Sequence, residues 1–161
     1  QCRSAGEINA DAINALEDGR VRNRSFFLFL NYMDAHWPYV APVWYEFERA
    51  TRTFLVVGRE RASWIAHIRT NPRVAFHVAD DLHAHHTRVQ VQATAWILEG
   101  PIAPTASPTL LELTHRLSRR YLGPDGPRYA EKTLGRPRVL VRLEPARWTS
   151  WTGQEWHPRY R

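Results

Sequence analysis

The spacing of apolar residues along this chain changes period several times, and each change marks an element. Ile8, Ala12, Ile13 and Leu16 recur at helical spacing ahead of Gly19, which predicts a short covering helix over residues 5–18. Residues 25–33, SFFLFLNYM, are too short and too uniformly apolar for a surface helix and read as a buried strand. Asp34, Ala35 and His36 form the next turn, without the glycine that favours tight hairpins. Over residues 37–47, Tyr39, Ala41, Val43, Tyr45 and Phe47 alternate with Val40, Pro42 and Trp44. Both faces are apolar, so both are expected to be covered, as in a barrel wall against a partner. Pro42 cannot donate a ladder hydrogen bond and belongs at an edge or a bulge. Residues 53–57 are a third strand, ending at Gly58.

A short helix follows over residues 61–69, closed by Asn71-Pro72, because the residue before proline avoids the helical region. Residues 73–78 are a fourth strand and residues 80–86, DDLHAHH, a polar loop. Residues 87–98 set Val89, Val91, Ala93, Ala95 and Ile97 against Arg88, Gln90, Gln92 and Thr94, the signature of a long half-buried strand. After a proline-rich connector comes the strongest helix, residues 108–122. Leu110, Leu113, Leu117 and Tyr121 make its face, Ser107 caps it, Pro108 sits in its first turn and Gly123 ends it. One more helical turn is expected within residues 127–135, then a last strand at 138–143 and a tail rich in tryptophan. The sum is a mainly β chain with α covers, a six-stranded antiparallel barrel. It reads as a single domain over 1–161, with a covering helix in 1–20, the barrel core in 20–100, a helical cover in 105–135 and the last strand and tail in 138–161.

Composition narrows the function classes. The 161 residues suffice for one domain with a core, and 43% hydrophobic with 24% charged residues is ordinary for a folded soluble protein. No apolar run approaches the roughly 20 residues of a membrane span, and the first residues do not read as a signal peptide. The single cysteine, Cys2, allows no internal disulfide and no cysteine-based metal site, and the default compartment is the cytoplasm. A net charge of +6 calls for an anionic partner. Only Lys132 of the 22 basic residues is a lysine, and the arginines are dispersed, unlike a nucleic-acid-binding tail. Arg59, Arg61, Arg69 and Arg73 nevertheless fall close together, as do Arg116, Arg119 and Arg120. The latter three are either solvated or reach toward an acidic cofactor tail. His83, His85 and His86, with Asp80 and Asp81, read as a polar loop rather than a metal site, as do the isolated His36 and His115, because a metal needs converging ligands and an outer shell.

The candidate chemistry lies in VVGRERASW, where a glycine and two arginines stand between a strand and a helix. Backbone donors, arginine forks and a helix N-terminus form a phosphate trap. Arg59 and Arg61 are its cationic members. Ser63 is either a ligand or a solvent-facing cap, and Trp44 and Trp64 are either core aromatics or a platform for a flat ring. No Ser–His–Asp order or P-loop stands out.

In order and spacing, PVWYEF, GRERASW, NPRVAF and RVQVQATA resemble the pyridoxamine 5'-phosphate oxidase-like split barrels, which use FMN or the deazaflavin F420. The resemblance covers residues 20–151, and RRYLG, RPRVLVRLEP and SWTG resemble uncharacterised members. It implies an FMN-binding split-barrel fold, a homodimer with cofactors at the subunit interface, and a two-electron, hydride-type step on a small organic molecule. It also implies roles. Val56 and Val57 would flank the ribityl chain. Arg59, Arg61 and Ser63, after Gly58, would hold the phosphate. Pro42, Val43 and Trp44 would lie along the flavin, Arg88 would contact it, and Trp151 matches a tryptophan after the last strand. Trp64 stands where the family often has a lysine. The oxidase grips substrate with an arginine and a histidine after its tail tryptophan, whereas His157 and Arg159 here are spaced more tightly. The alternatives are an F420-dependent reductase of the same fold, or a non-enzymatic protein that carries a cofactor, binds haem or touches nucleic acid.

Overall fold

The computed structural model describes residues 28–33, 38–79 and 87–151. The expected N-terminal helix, the 34–36 turn, the histidine loop at 80–86 and the tail beyond Trp151 lie outside the described residues. Seven strands are formed: β1 (Leu28–Met33), β2 (Pro38–Val43), β3 (Tyr45–Glu48), β4 (Thr53–Arg59), β5 (Arg73–Ala79), β6 (Arg88–Ile102) and β7 (Arg138–Trp151). Helices are α1 (Ser63–Thr70), α2 (Pro108–Leu122) and α3 (Gly126–Glu131), with a 3-10 turn at Pro104–Ala106.

One sheet takes all seven strands in the order β2-β1-β5-β6-β7-β4-β3, and every pairing is antiparallel. Its two end strands, β2 and β3, are separated in the chain by Trp44 alone. The pleat runs through that break: Ala41, Val43 and Tyr45 are buried and Phe47 packs against the core. One stretch of chain therefore pairs with β1 through its first half and with β4 through its second, and the sheet curls until its ends meet there. The expected six strands become seven because of this change of partner, which alternation of side chains cannot reveal. Pro42 sits on an end strand, where its missing N–H costs nothing.

Inside the curl lies one apolar cluster, built around Tyr45, Phe54, Val56, Phe76, Val91 and Val141. Helix α1 adds Trp64, Ile65 and Ile68 to it. Helix α2 buries the face its spacing predicts: Leu110, Leu113, Leu117 and Tyr121. Ser107 caps it, its Oγ accepting from the Leu110 N–H at 3.1 Å.

Three expectations about the strands change. The stretch 37–47 is not covered on both faces, since Val40 is 50% exposed. The alternation of β6 stops at Ile97, where a register shift between Ile97 and Glu99 leaves Ile97 and Leu98 both exposed beside Trp96. Strands β6 and β7 also run to Ile102 and Trp151, beyond the expected 98 and 143, because they pair with one another along almost their whole length. Among the described residues, no helix is long and apolar enough to cross a membrane.

Candidate functional site

Strand β4 carries the core on one face and the site on the other. Phe54 and Val56 are fully buried, while Leu55 and Val57 alternate outward and Arg59 is exposed. Gly58 lies on the inner face, and a Cβ there would come within 2.5 Å of Trp64 Cζ2 and 2.7 Å of Ile65 Cδ1. The glycine lets α1 fold tightly onto the strand end, with the Ala62 N–H donating to the Arg59 carbonyl at 2.9 Å. Trp64 is thereby held in the core at 6% exposure, and Ser63 is exposed at the helix start. Ala62 occupies the cap position, with no side chain to accept from the first-turn amides.

Outside this strand lies a cavity of about 370 Å³. One wall comes from Pro42, Val43 and Trp44, the floor from Val57 and Gly58, and the cover from Thr114 and Leu117 of α2 with Tyr129 of α3. Trp44 stacks on Tyr121 with centroids 5.4 Å apart and planes 6° from parallel. The Tyr121 hydroxyl accepts from the Tyr45 N–H at 3.2 Å and donates to the Tyr45 carbonyl at 3.3 Å, which satisfies the backbone where β2 gives way to β3. Burial pushes the Tyr121 hydroxyl above its ordinary range. It pushes Tyr45 further, with Tyr121 adding to the effect, so both phenols stay protonated. The Arg120 guanidinium sits 5.2 Å from the Tyr45 ring centroid, a cation over an aromatic face.

The basic end is built by strand pairing. Arg59 of β4 and Arg138 of β7 are directly opposite in the ladder, and like charges in that relation repel. Arg138 donates from Nη2 to Thr133 Oγ1 at 2.9 Å, while its buried Nε has no hydrogen-bond partner among the described residues. Burial first, then Arg59 and Arg136, pull the Arg138 guanidinium below its usual range. It remains a cation, because arginine does not deprotonate in proteins. Beyond Arg59 a second hollow of about 330 Å³ is lined by Arg59, Glu60, Arg61, Arg136 and Pro137. Among the described residues, none of Arg59, Arg61 and Arg136 is paired with a carboxylate. Arg116 is different. It grips Glu46 through Nε and Nη2, both at 2.8 Å, and Glu112 through Nη1 at 2.7 Å, tying α2 to β3. The hydrogen bond to Glu46 foremost raises its pKa.

The structure brings Pro42, Val43, Trp44, Val57, Gly58, Arg59 and Trp64 to one cavity and Arg61 to the hollow beside it. Val56 is sealed in the core and Ser63 faces outward without lining either space. Arg88 and Trp151 are cross-strand partners where β6 begins and β7 ends, at the opposite end of β7 from Arg138. Arg69 and Arg73 line neither space. Sequence reasoning missed Thr133, Arg136 and Arg138. The available signal was RPR immediately before the last apolar strand, two cations placed to meet whatever that strand pairs with.

An apolar slot ending in a guanidinium whose Nε–H has no partner among the described residues fits a flat ring carrying an anionic group: Trp44 and Val57 offer the ring faces, and Arg59 and Arg138 the charge. No protein-family model and no curated protein matches the sequence. Solved structures do match. A putative pyridoxamine 5'-phosphate oxidase from Listeria innocua is 13% identical at a TM-score of 0.56, covering 84% of this chain and 97% of that one. An F420 reductase is 20% identical at 0.59, covering 81% and 94%. The conserved hypothetical protein Rv2991 from Mycobacterium tuberculosis is 24% identical at 0.59, covering 84% and 82%. The chain has the fold of the pyridoxamine 5'-phosphate oxidase-like proteins.

Proposed function

We propose that this chain binds a phosphorylated flavin-type cofactor, FMN or the deazaflavin F420, and transfers two electrons to or from a small organic substrate. Counted with its interrupted strand as one, the sheet is read as a six-stranded split barrel. The observation that carries the proposal is the cavity of about 370 Å³ with Trp44 and Val57 at its apolar side and the Arg59–Arg138 pair at its basic end. The neighbours' fold supports it.

When bound, such a cofactor supplies the redox chemistry, and the protein supplies orientation and electrostatics. Arg59 and the free Nε–H of Arg138 would hold the phosphate by charge-assisted hydrogen bonds. Trp44, fixed by Tyr121, would define the plane of the ring. Thr133 keeps the Arg138 fork pointed at the cavity. Tyr129, 59% exposed, lies on the cavity rim and leaves one side open for substrate. The assembly proposed is a cytoplasmic homodimer.

The test is an absorbance spectrum of the purified protein, followed by fluorescence titration with FMN and F420. Flavin-like bands or saturable uptake of either cofactor support the reading. A colourless protein that takes up neither, or one with a Soret band, overturns it.

A further inference from the structure

We infer that the outer face of β6 around Trp96 docks on an anionic lipid surface, so that the chain lies against a bilayer without crossing it. The inference is independent of the flavin-type reading.

Three observations carry it. First, Trp96, Ile97 and Leu98 are 49%, 37% and 46% exposed, large apolar residues in an unbroken run on one strand. Single exposed apolar residues are ordinary, but a contiguous patch marks an interaction site. Tryptophan beside aliphatic side chains is the composition that settles at the headgroup level of a bilayer.

Second, cations surround the run. Trp96 is the cross-strand partner of Arg142, and Arg73 is the cross-strand partner of Thr94 on the same face of β6. The Ala95 N–H donates to the Pro72 carbonyl at 2.8 Å, which sets the turn that follows α1 and its Arg69 beside the run. Arg69 and Arg73 are exposed, and none of the three arginines forms an ion pair among the described residues. The carboxylates on this stretch of the ladder are Glu144, opposite Thr94, and Glu99, so cations are in excess. Arginine suits such a place, because its stem covers apolar surface while its head meets a phosphate.

Third, the arrangement disfavours other occupants. Strand β6 runs on past Thr94, the partner of the first residue of β5, and so presents an edge. Pro101 and the register shifts blunt that edge against an added strand. A two-fold contact between copies of the chain would set Arg69, Arg73 and Arg142 against the same three arginines. Lipid phosphates neutralise them instead.

The experiment is sedimentation of the full chain with vesicles of phosphatidylcholine alone and of phosphatidylcholine mixed with phosphatidylglycerol. The unchanged chain binds the mixed vesicles about tenfold or more tighter than the neutral ones, and added salt narrows the difference. Trp96→Ser/Leu98→Ser lowers the affinity for mixed vesicles about tenfold or more, and Arg69→Gln/Arg73→Gln flattens the salt dependence. All four positions are exposed, and a melting curve checks the fold. A second measurement needs no polar substitution. Brominated lipid quenches tryptophan emission in the unchanged chain, and Trp96→Phe, which keeps the patch apolar, still sediments but loses the quenching. Absence of sedimentation, equal sedimentation with both kinds of vesicle, undiminished binding by Trp96→Ser/Leu98→Ser, or quenching that persists in Trp96→Phe overturns the inference. So does a change of oligomeric state in Trp96→Ser/Leu98→Ser without vesicles, which assigns the face to a second copy of the chain.

Discussion

At the scale of single residues the site is a contest between charge and strand pairing. Arg59 and Arg138 face each other across the β4–β7 ladder, an arrangement that costs stability until an anion intervenes. Exchanging Arg59 for glutamine therefore has opposite effects on two measurements. The ligand-free protein gains about 0.2–1 kcal/mol, the usual size of a cross-strand pair term, read as a higher melting midpoint at low salt. Affinity for a phosphorylated cofactor falls about tenfold, since hydrogen bonds to charged groups contribute about 1.5–3 kcal/mol. A midpoint that drops together with unchanged affinity would assign Arg59 a purely structural role. The sequence displayed Arg59, Val57 and Trp44 because they sit in one short run whose neighbours punctuate it. It hid Arg138, which is 79 positions from Arg59 in the chain and joins it only through strand pairing. Val56 and Val57 are indistinguishable as letters, and only the direction of the pleat sends one to the core and the other to the cavity.

At the scale of elements, boundaries followed the strength of local signals. Helix α2 runs over the predicted residues 108–122 because cap, first-turn proline, apolar face and terminal glycine all agree. The ends of β6 and β7 carry Gly100, Pro101 and Pro145, which read as breaks in the sequence, yet they become strand by pairing with each other. The junction of β4 and α1 depends on Gly58. Gly58→Ala pushes a methyl group into Trp64 and Ile65, and overpacking of this kind costs about 1–3 kcal/mol. The expected outcome is a lower denaturant midpoint together with a shift in tryptophan emission as Trp64 leaves its buried position. An unshifted spectrum with native stability would show that α1 can ride outward at no cost. The same contact holds Trp64 against the strand end. The position is buried against Gly58, and the cavity's cations are Arg59 and Arg138.

At the scale of the whole molecule, the mainly antiparallel β architecture with helical covers was legible in outline because alternating apolar runs with short turns leave few other architectures. Its closure through a partner-switching strand was not, because nothing in the side-chain pattern marks Trp44 as a joint. The excess of arginine over carboxylate at one end of the structure makes a prediction for the molecule as a unit. Phosphate should raise the melting midpoint more than chloride at matched ionic strength, because it binds the folded state at a site the unfolded chain lacks. Identical midpoints in the two salts would mean that the basic end attracts anions only by diffuse screening.

The pleat that runs unbroken through Trp44 divides labour along a single strand. Ala41 and Tyr45 are committed to the interior, and Pro42 and Trp44 line the cavity, where the part of Val43 that is not in the core joins them. Strand β4 repeats the division with Phe54 and Val56 on one side and Val57 and Arg59 on the other. Inheritance of the scaffold and invention of a new specificity are thus written in alternate letters. A lineage could rewrite the outer letters while the inner letters continued to specify the same sheet.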